Sequence, residues 1–126
     1  MMTDLEIFNT VRSHLIKQNC RSIDAFLGTC KYRGTHNMSC AVGCLLSDDV
    51  YATDLEGMSV KCMRQFRATA QSYSKLANAL EASIGRELND STIDLLIDLQ
   101  DMHDHVACDR WEVSLTNVGR KYGFID

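Results

Sequence analysis

Asp90-Ser91-Thr92-Ile93-Asp94-Leu95-Leu96-Ile97-Asp98-Leu99-Gln100-Asp101-Met102-His103-Asp104-His105 is the stretch that decides the fold. On a 3.6-residue period Leu96, Leu99, His103 and Val106 share one face. Asp94, Asp98, Asp101 and His105 fall on a narrow stripe opposite. An apolar face with an acidic back is an amphipathic helix, here opened by Asp90 or Ser91.

Working outward, the same pattern recurs. Thr3-Asp4-Leu5-Glu6 has capping-box form, and Leu5, Phe8, Val11, Leu15 and Ile16 follow at helical spacing, so a helix runs to about Asn19. Asp109-Arg110-Trp111-Glu112 repeats the box before a final helix to about Lys121, with Gly123 beyond it. Ser59 to Tyr73 and Ser74 to Ile84 read as one interrupted helix or two, with Gly85 as C-cap. Thr53-Asp54-Leu55-Glu56 is a third box that Gly57 cuts short. Cys40 to Leu46 reads as a short apolar helix, in which Gly43 marks close backbone packing because it weakens a helix by about 1 kcal/mol against alanine. Cys20 to Gly28 is ambiguous, with a further helical turn around Ile23, Phe26 and Leu27 as one reading. Residues 29–39, rich in turn formers, read as a small hairpin or irregular element. The chain has no proline to break its helices. The expectation is an all-α bundle of five or six helices forming a single domain over residues 1–126.

Composition narrows the function classes. Hydrophobic residues at 45% and charged residues at 24% are ordinary for a globular domain and argue against disorder. No apolar run approaches the ~18 residues of a membrane span. The start of the chain lacks the basic and apolar regions of a signal peptide, so the expected location is the cytoplasm, with no membrane partner. A net charge of −4 argues against nucleic acid, which selects a basic footprint, and is too mild for a DNA mimic. The charge is uneven: Lys61, Arg64, Arg67 and Lys75 form a basic segment, and Asp90 to Asp109 holds six aspartates and no lysine or arginine. These segments could pair within the fold, meet a second subunit in an oligomer, or face a partner protein.

Several short motifs occur in a characteristic order: Cys30-Lys31-Tyr32-Arg33-Gly34, Cys40-Ala41-Val42-Gly43-Cys44-Leu45, Asp48 to Tyr51, Leu55-Glu56-Gly57, Leu99-Gln100-Asp101-Met102-His103-Asp104 and Trp111. Together they resemble a family of small, uncharacterised bacteriophage and prophage proteins. The family has a smaller turn-forming stretch where this chain carries Thr35-His36-Asn37-Met38, which counts against a role for His36. The resemblance implies a phage-type protein expressed in a bacterial host's cytoplasm. Small accessory phage proteins commonly bind and redirect host components, defence systems included. It implies no activity.

Four constellations carry chemistry. Cys30, Cys40 and Cys44, with His36, are candidate zinc ligands, although the spacing is not that of a finger or ribbon. Buried free thiols are the competing reading, and under it no cofactor is expected. His103 could serve a cysteine nucleophile, with Asp101 or Asp104 orienting its ring; a core histidine bonded to backbone is the competing reading. Asp94, Asp98, Asp101 and His105 suit a partner surface or a divalent metal, against a merely solvated face. Lys31, Tyr32 and Arg33, with Arg64 and Arg67, suit a small anion such as a nucleotide, although no phosphate-loop motif is present. Trp111 and Tyr51 read as core residues with their polar atoms at the rim. The leading expectation is a non-enzymatic accessory protein that inhibits or redirects a host protein. The alternatives are an anion-sequestering module and a cysteine-dependent enzyme.

Overall fold

The first capping box forms as its residues dictate. The Thr3 hydroxyl accepts the Glu6 N–H at 3.1 Å, and the Glu6 carboxylate accepts the Thr3 N–H at 3.3 Å. This opens α1, Asp4–Gln18, in the computed structural model, which describes residues 1–23, 30–56, 58, 60–61 and 71–126. Asn19 ends the helix in the left-handed conformation, with its N–H on the Leu15 carbonyl. Three further helices follow among the described residues: α2, Gln71–Ile84; α3, Asp90–His105; and α4, Trp111–Lys121. Gly85 closes α2 at φ 83°, the conformation that selects glycine at a helix end.

The α3 stripe drives the packing. Ile93, Leu96, Leu99, Met102 and His103 turn inward with Leu95, and α3 packs on α4 and α1. From α1 come Ile7, Phe8, Val11 and Leu15, and from α4 come Trp111 and Leu115, all buried. Phe124, just past α4, closes the end of this core with its ring 5.4 Å from that of Phe8.

The fold is all-α, as expected, with no β-strand among the described residues. The described residues hold four α-helices, with short 3₁₀ turns at Gly43–Leu45 and Thr53–Leu55, where further helical turns were expected. Cys40 to Leu46 makes one α-type bond, Cys44 N–H to Cys40 C=O, and then tightens into 3₁₀ bonds. Its remaining N–H groups are drawn elsewhere, Val42 to the Gln100 side chain at 3.0 Å and Gly43 to the Cys40 sulfur at 3.2 Å. Thr53–Leu55 is likewise a 3₁₀ turn without a side-chain cap. The cap of α3 is Asn89, one residue before the expected position, and its side chain accepts the Thr92 N–H at 2.9 Å. Asp109 caps nothing, because a 3₁₀ turn over Cys108–Arg110 runs directly into α4. The expected helix over 59–73 and the turn around Phe26 and Leu27 lie outside the described residues, apart from their ends.

Near residues 29–39 the small element is two isolated antiparallel bridges, Ile23 with Cys30 and Arg33 with Ser39, around a 3₁₀ turn at Thr35–Asn37. Gln18 ties it to the end of α1. Its amide accepts the Ser39 N–H at 2.9 Å and donates to the Ser39 and Cys20 carbonyls.

Asp4 locks the start of α1 to the start of α3. Its carboxylate accepts hydrogen bonds from Arg86 and Thr92, each at 2.6 Å, and from Ser91 at 3.0 Å. Burial alone would raise the Asp4 carboxyl, but the hydrogen bonds from Thr92, Arg86 and Ser91 and the Arg86 charge outweigh it and hold it below its ordinary 3.8. A carboxyl lowered by folding contributes stability above its unfolded value and loses it as pH falls through the folded value. Asp4→Ala is therefore expected to cost about 2 kcal/mol near neutral pH. In urea titrations the gap to wild type should hold from about pH 7 to 5 and shrink below about pH 4.

Candidate functional site

Cys30, His103 and Asp104 come together where the 29–39 element meets the C-terminal half of α3. Their ligand atoms lie within 4.8 Å of one another. His103 is placed by the apolar face of α3, and Asp104 follows it at the helix edge. Cys30 arrives from the bridge to Ile23.

Hydrogen bonding sets what this group can do. The Ser22 backbone N–H donates to His103 Nε2 at 3.0 Å, and both residues are 0% exposed. A backbone amide has only a proton to offer, so Nε2 carries the lone pair and Nδ1 carries the ring proton. Nδ1 then donates to Asp104 Oδ1 at 2.8 Å. Gln100 donates to the same oxygen at 2.9 Å. Burial would raise the Asp104 carboxyl, but hydrogen bonds from His103, Gln100 and Cys30 hold it below the usual carboxylate range. Cys30 moves the other way: burial, the negative charge of Asp104 and the bond to Asp104 raise its thiol, against a smaller pull from Arg21.

The order of the three groups is therefore thiol, carboxylate, imidazole. A cysteine nucleophile needs the imidazole between the other two, where it can take the thiol proton. Here the carboxylate occupies that place and stabilises the protonated thiol. A metal on Nδ1 fares no better. It would displace the ring proton to Nε2, which would then face the Ser22 N–H donor to donor. His103 is a core histidine bonded to backbone, and its ring packs 5.4 Å from that of Trp111.

The chain matches no protein-family model, no curated protein and no solved structure.

The other expected sites are placed as follows. Cys40 and Cys44 do not join Cys30 in a cluster of ligand atoms among the described residues. Cys40 is fully buried with its thiol pushed well up by burial, and Cys44, pushed up to about 12 by burial, donates to the Ala41 carbonyl at 3.1 Å. Cys40 is the buried thiol of the competing reading, and Cys44 is half-buried against the core. His36 is exposed at φ 60° in the Thr35–Asn37 turn.

Arg33 is committed to the fold. One guanidinium nitrogen pairs with Asp48 at 2.8 Å, another donates to the Leu46 carbonyl at 2.9 Å, and the group lies 4.3 Å over the Tyr51 ring. Tyr32 is buried, its hydroxyl donating to the Met58 carbonyl. Lys31 lines a cleft of about 210 Å³ that also holds the Glu56 and Asp104 carboxylates. Two carboxylates against one ammonium make a poor host for an anion. Arg64 and Arg67 lie outside the described residues.

The acidic stripe is partly neutralised within the chain. Asp98 accepts from Lys121 at 2.7 Å and from the Tyr122 hydroxyl at 2.6 Å. Asp101 pairs with Lys61 at 3.0 Å, a contact between the acidic and basic segments. His105 is exposed on the same side.

Glu56 was not legible as a key residue. Its carboxylate accepts the Tyr32 and Arg33 N–H groups at 2.9 and 3.1 Å and the Tyr51 hydroxyl at 2.6 Å. It thus holds the Cys30-to-Gly34 motif through its backbone. The motif order placed Glu56 near these residues in sequence pattern only. Its Thr-x-x-Glu spacing pointed to a local cap instead.

Proposed function

We propose that this chain is a small phage-type accessory protein that acts in the host cytoplasm by binding a host protein and blocking or redirecting it. One observation carries binding over catalysis: the Cys30, Asp104 and His103 groups are ordered so that the carboxylate keeps the thiol protonated and the imidazole is held on both nitrogens. The phage assignment rests on the ordered motifs from Cys30 to Trp111. The contact surface is the outer side of α3, where Asp94, Asp98, Asp101 and His105 present a mainly acidic strip. The ion pairs of Asp98 with Lys121 and of Asp101 with Lys61 are at the surface, where such pairs are worth about 0–1 kcal/mol, so a basic partner can displace them.

The test uses an Asp94→Lys/Asp101→Lys double variant beside wild type, each immobilised and exposed to bacterial lysate. Wild type is expected to retain a stoichiometric host protein that also binds when purified. The double variant is expected to lose it at an unchanged melting temperature. Retention by the variant would move the surface off α3. Absence of any stoichiometric partner in lysates of susceptible hosts would overturn the binding reading.

A further inference from the structure

A second groove, of about 600 Å³, shares Cys30 and Asp104 with the first cleft and is lined besides by Cys20, Cys108, Met38, His36 and Arg21, whose guanidinium is taken up by the His103 and Val106 carbonyls. Cys20 Sγ lies 3.6 Å from Met38 Sδ. The contact is a hydrogen bond from the thiol to the thioether, and donors that share one three-coordinate metal at about 2.3 Å stand about 4 Å apart, so replacing the thiol proton by an ion moves the two sulfurs apart by only about 0.4 Å. Both donors are held from behind. The Cys20 carbonyl accepts from Gln18 at 2.7 Å, next to the left-handed Asn19 that ends α1. The Met38 carbonyl accepts from Gly34 N–H at 2.9 Å and from the Ser22 hydroxyl at 3.2 Å.

The Cys20 and Met38 pair decides which ion fits, because Cys20, Cys30, Cys108 and His36 form no three-ligand cluster among the described residues. Zinc is held by thiolate, imidazole and carboxylate, and a thioether adds little for it. Thiolate and thioether together select soft monovalent copper. We propose that this groove binds one Cu(I) ion through Cys20 Sγ and Met38 Sδ, with Cys108, which lines the same groove, as the third donor. Binding is a proton exchange without oxidation: the ion replaces the thiol protons of Cys20 and Cys108, and both leave to solvent. The site is separate from the Cys40 and Cys44 thiols, which face the chain's own backbone.

The experiment titrates the reduced full-length chain with Cu(I) under anaerobic conditions against a chromophoric Cu(I) chelator. Wild type is expected to withdraw one equivalent. Met38→Leu keeps all six cysteines yet is expected to weaken retention at least ~10-fold, and Cys20→Ser to do the same, while Cys44→Ser behaves as wild type. Met38→Leu retaining copper as wild type does, or Cys44→Ser losing as much as Cys20→Ser, would overturn the site, as would failure of wild type to compete for one equivalent. A measurement on the unmutated chain guards against misfolded variants: the Met38 methyl resonance is expected to shift with the first equivalent of Cu(I). An unmoved Met38 methyl contradicts the proposal.

Discussion

His103→Ala is expected to destabilise the chain by about 4 kcal/mol and to lower its melting temperature by at least ~10 °C. Two effects add. Removing a ring that is 0% exposed and packed on Trp111 leaves a cavity that its neighbours cannot fill. It also strands the Ser22 N–H, a buried donor whose desolvation then goes uncompensated at about 1–3 kcal/mol. His103→Phe separates the two, because it keeps the ring and its packing but deletes both nitrogens. Its expected cost is about 2–3 kcal/mol, the hydrogen-bonding share. Urea denaturation of the two variants measures both figures. Losses below about 1 kcal/mol in both would show that the histidine does not hold the core.

The second large effect is expected at Gly43. A methyl group there would lie 1.9 Å from the Tyr32 carbonyl oxygen and 2.6 Å from its carbon. These are backbone atoms, pinned by the Cys40 N–H on the Tyr32 oxygen and by Glu56 on the Tyr32 N–H, so they cannot turn aside as a side chain would. Gly43→Ala is expected to cost about 3 kcal/mol, the upper part of the overpacking range. Gly123→Ala is the matched control. Gly123 sits at φ 77° with open space around it, so alanine there meets only backbone strain of about 1–2 kcal/mol. Equal losses at the two positions would contradict the close approach.

The same two residues mark what sequence could and could not say. Gly43 was legible as a close approach because glycine inside an apolar stretch is otherwise a local loss. The Tyr32 backbone that it meets was not legible. The inward position of His103 follows from the period of α3. Its partner Ser22 is 81 residues away, and no local pattern links the two. Thr3 and Glu6 cap each other because both ends of the motif are local. Thr53 and Glu56 have the same spacing and do not, because Glu56 finds two consecutive N–H groups at Tyr32 and Arg33. Arg33 shows the limit from the other side. Beside Lys31 and Tyr32 it reads as an anion contact, and only the fold brings Asp48, Leu46 and Tyr51 around it. The pairing of Lys61 with Asp101 was open as one of several outcomes for the two charged segments. Local caps, periods and glycines were readable, whereas long-range polar partners were not.

The distinction between a binding protein and a cysteine enzyme turns on the proton of His103. Long-range ¹H–¹⁵N correlation spectra of the imidazole ring at neutral pH read it directly. The expected result is a proton on Nδ1, directed at Asp104, and a bare Nε2 accepting the Ser22 N–H. A proton on Nε2, leaving the Nδ1 lone pair to face Cys30 and Asp104, would contradict this and favour the cysteine-dependent enzyme.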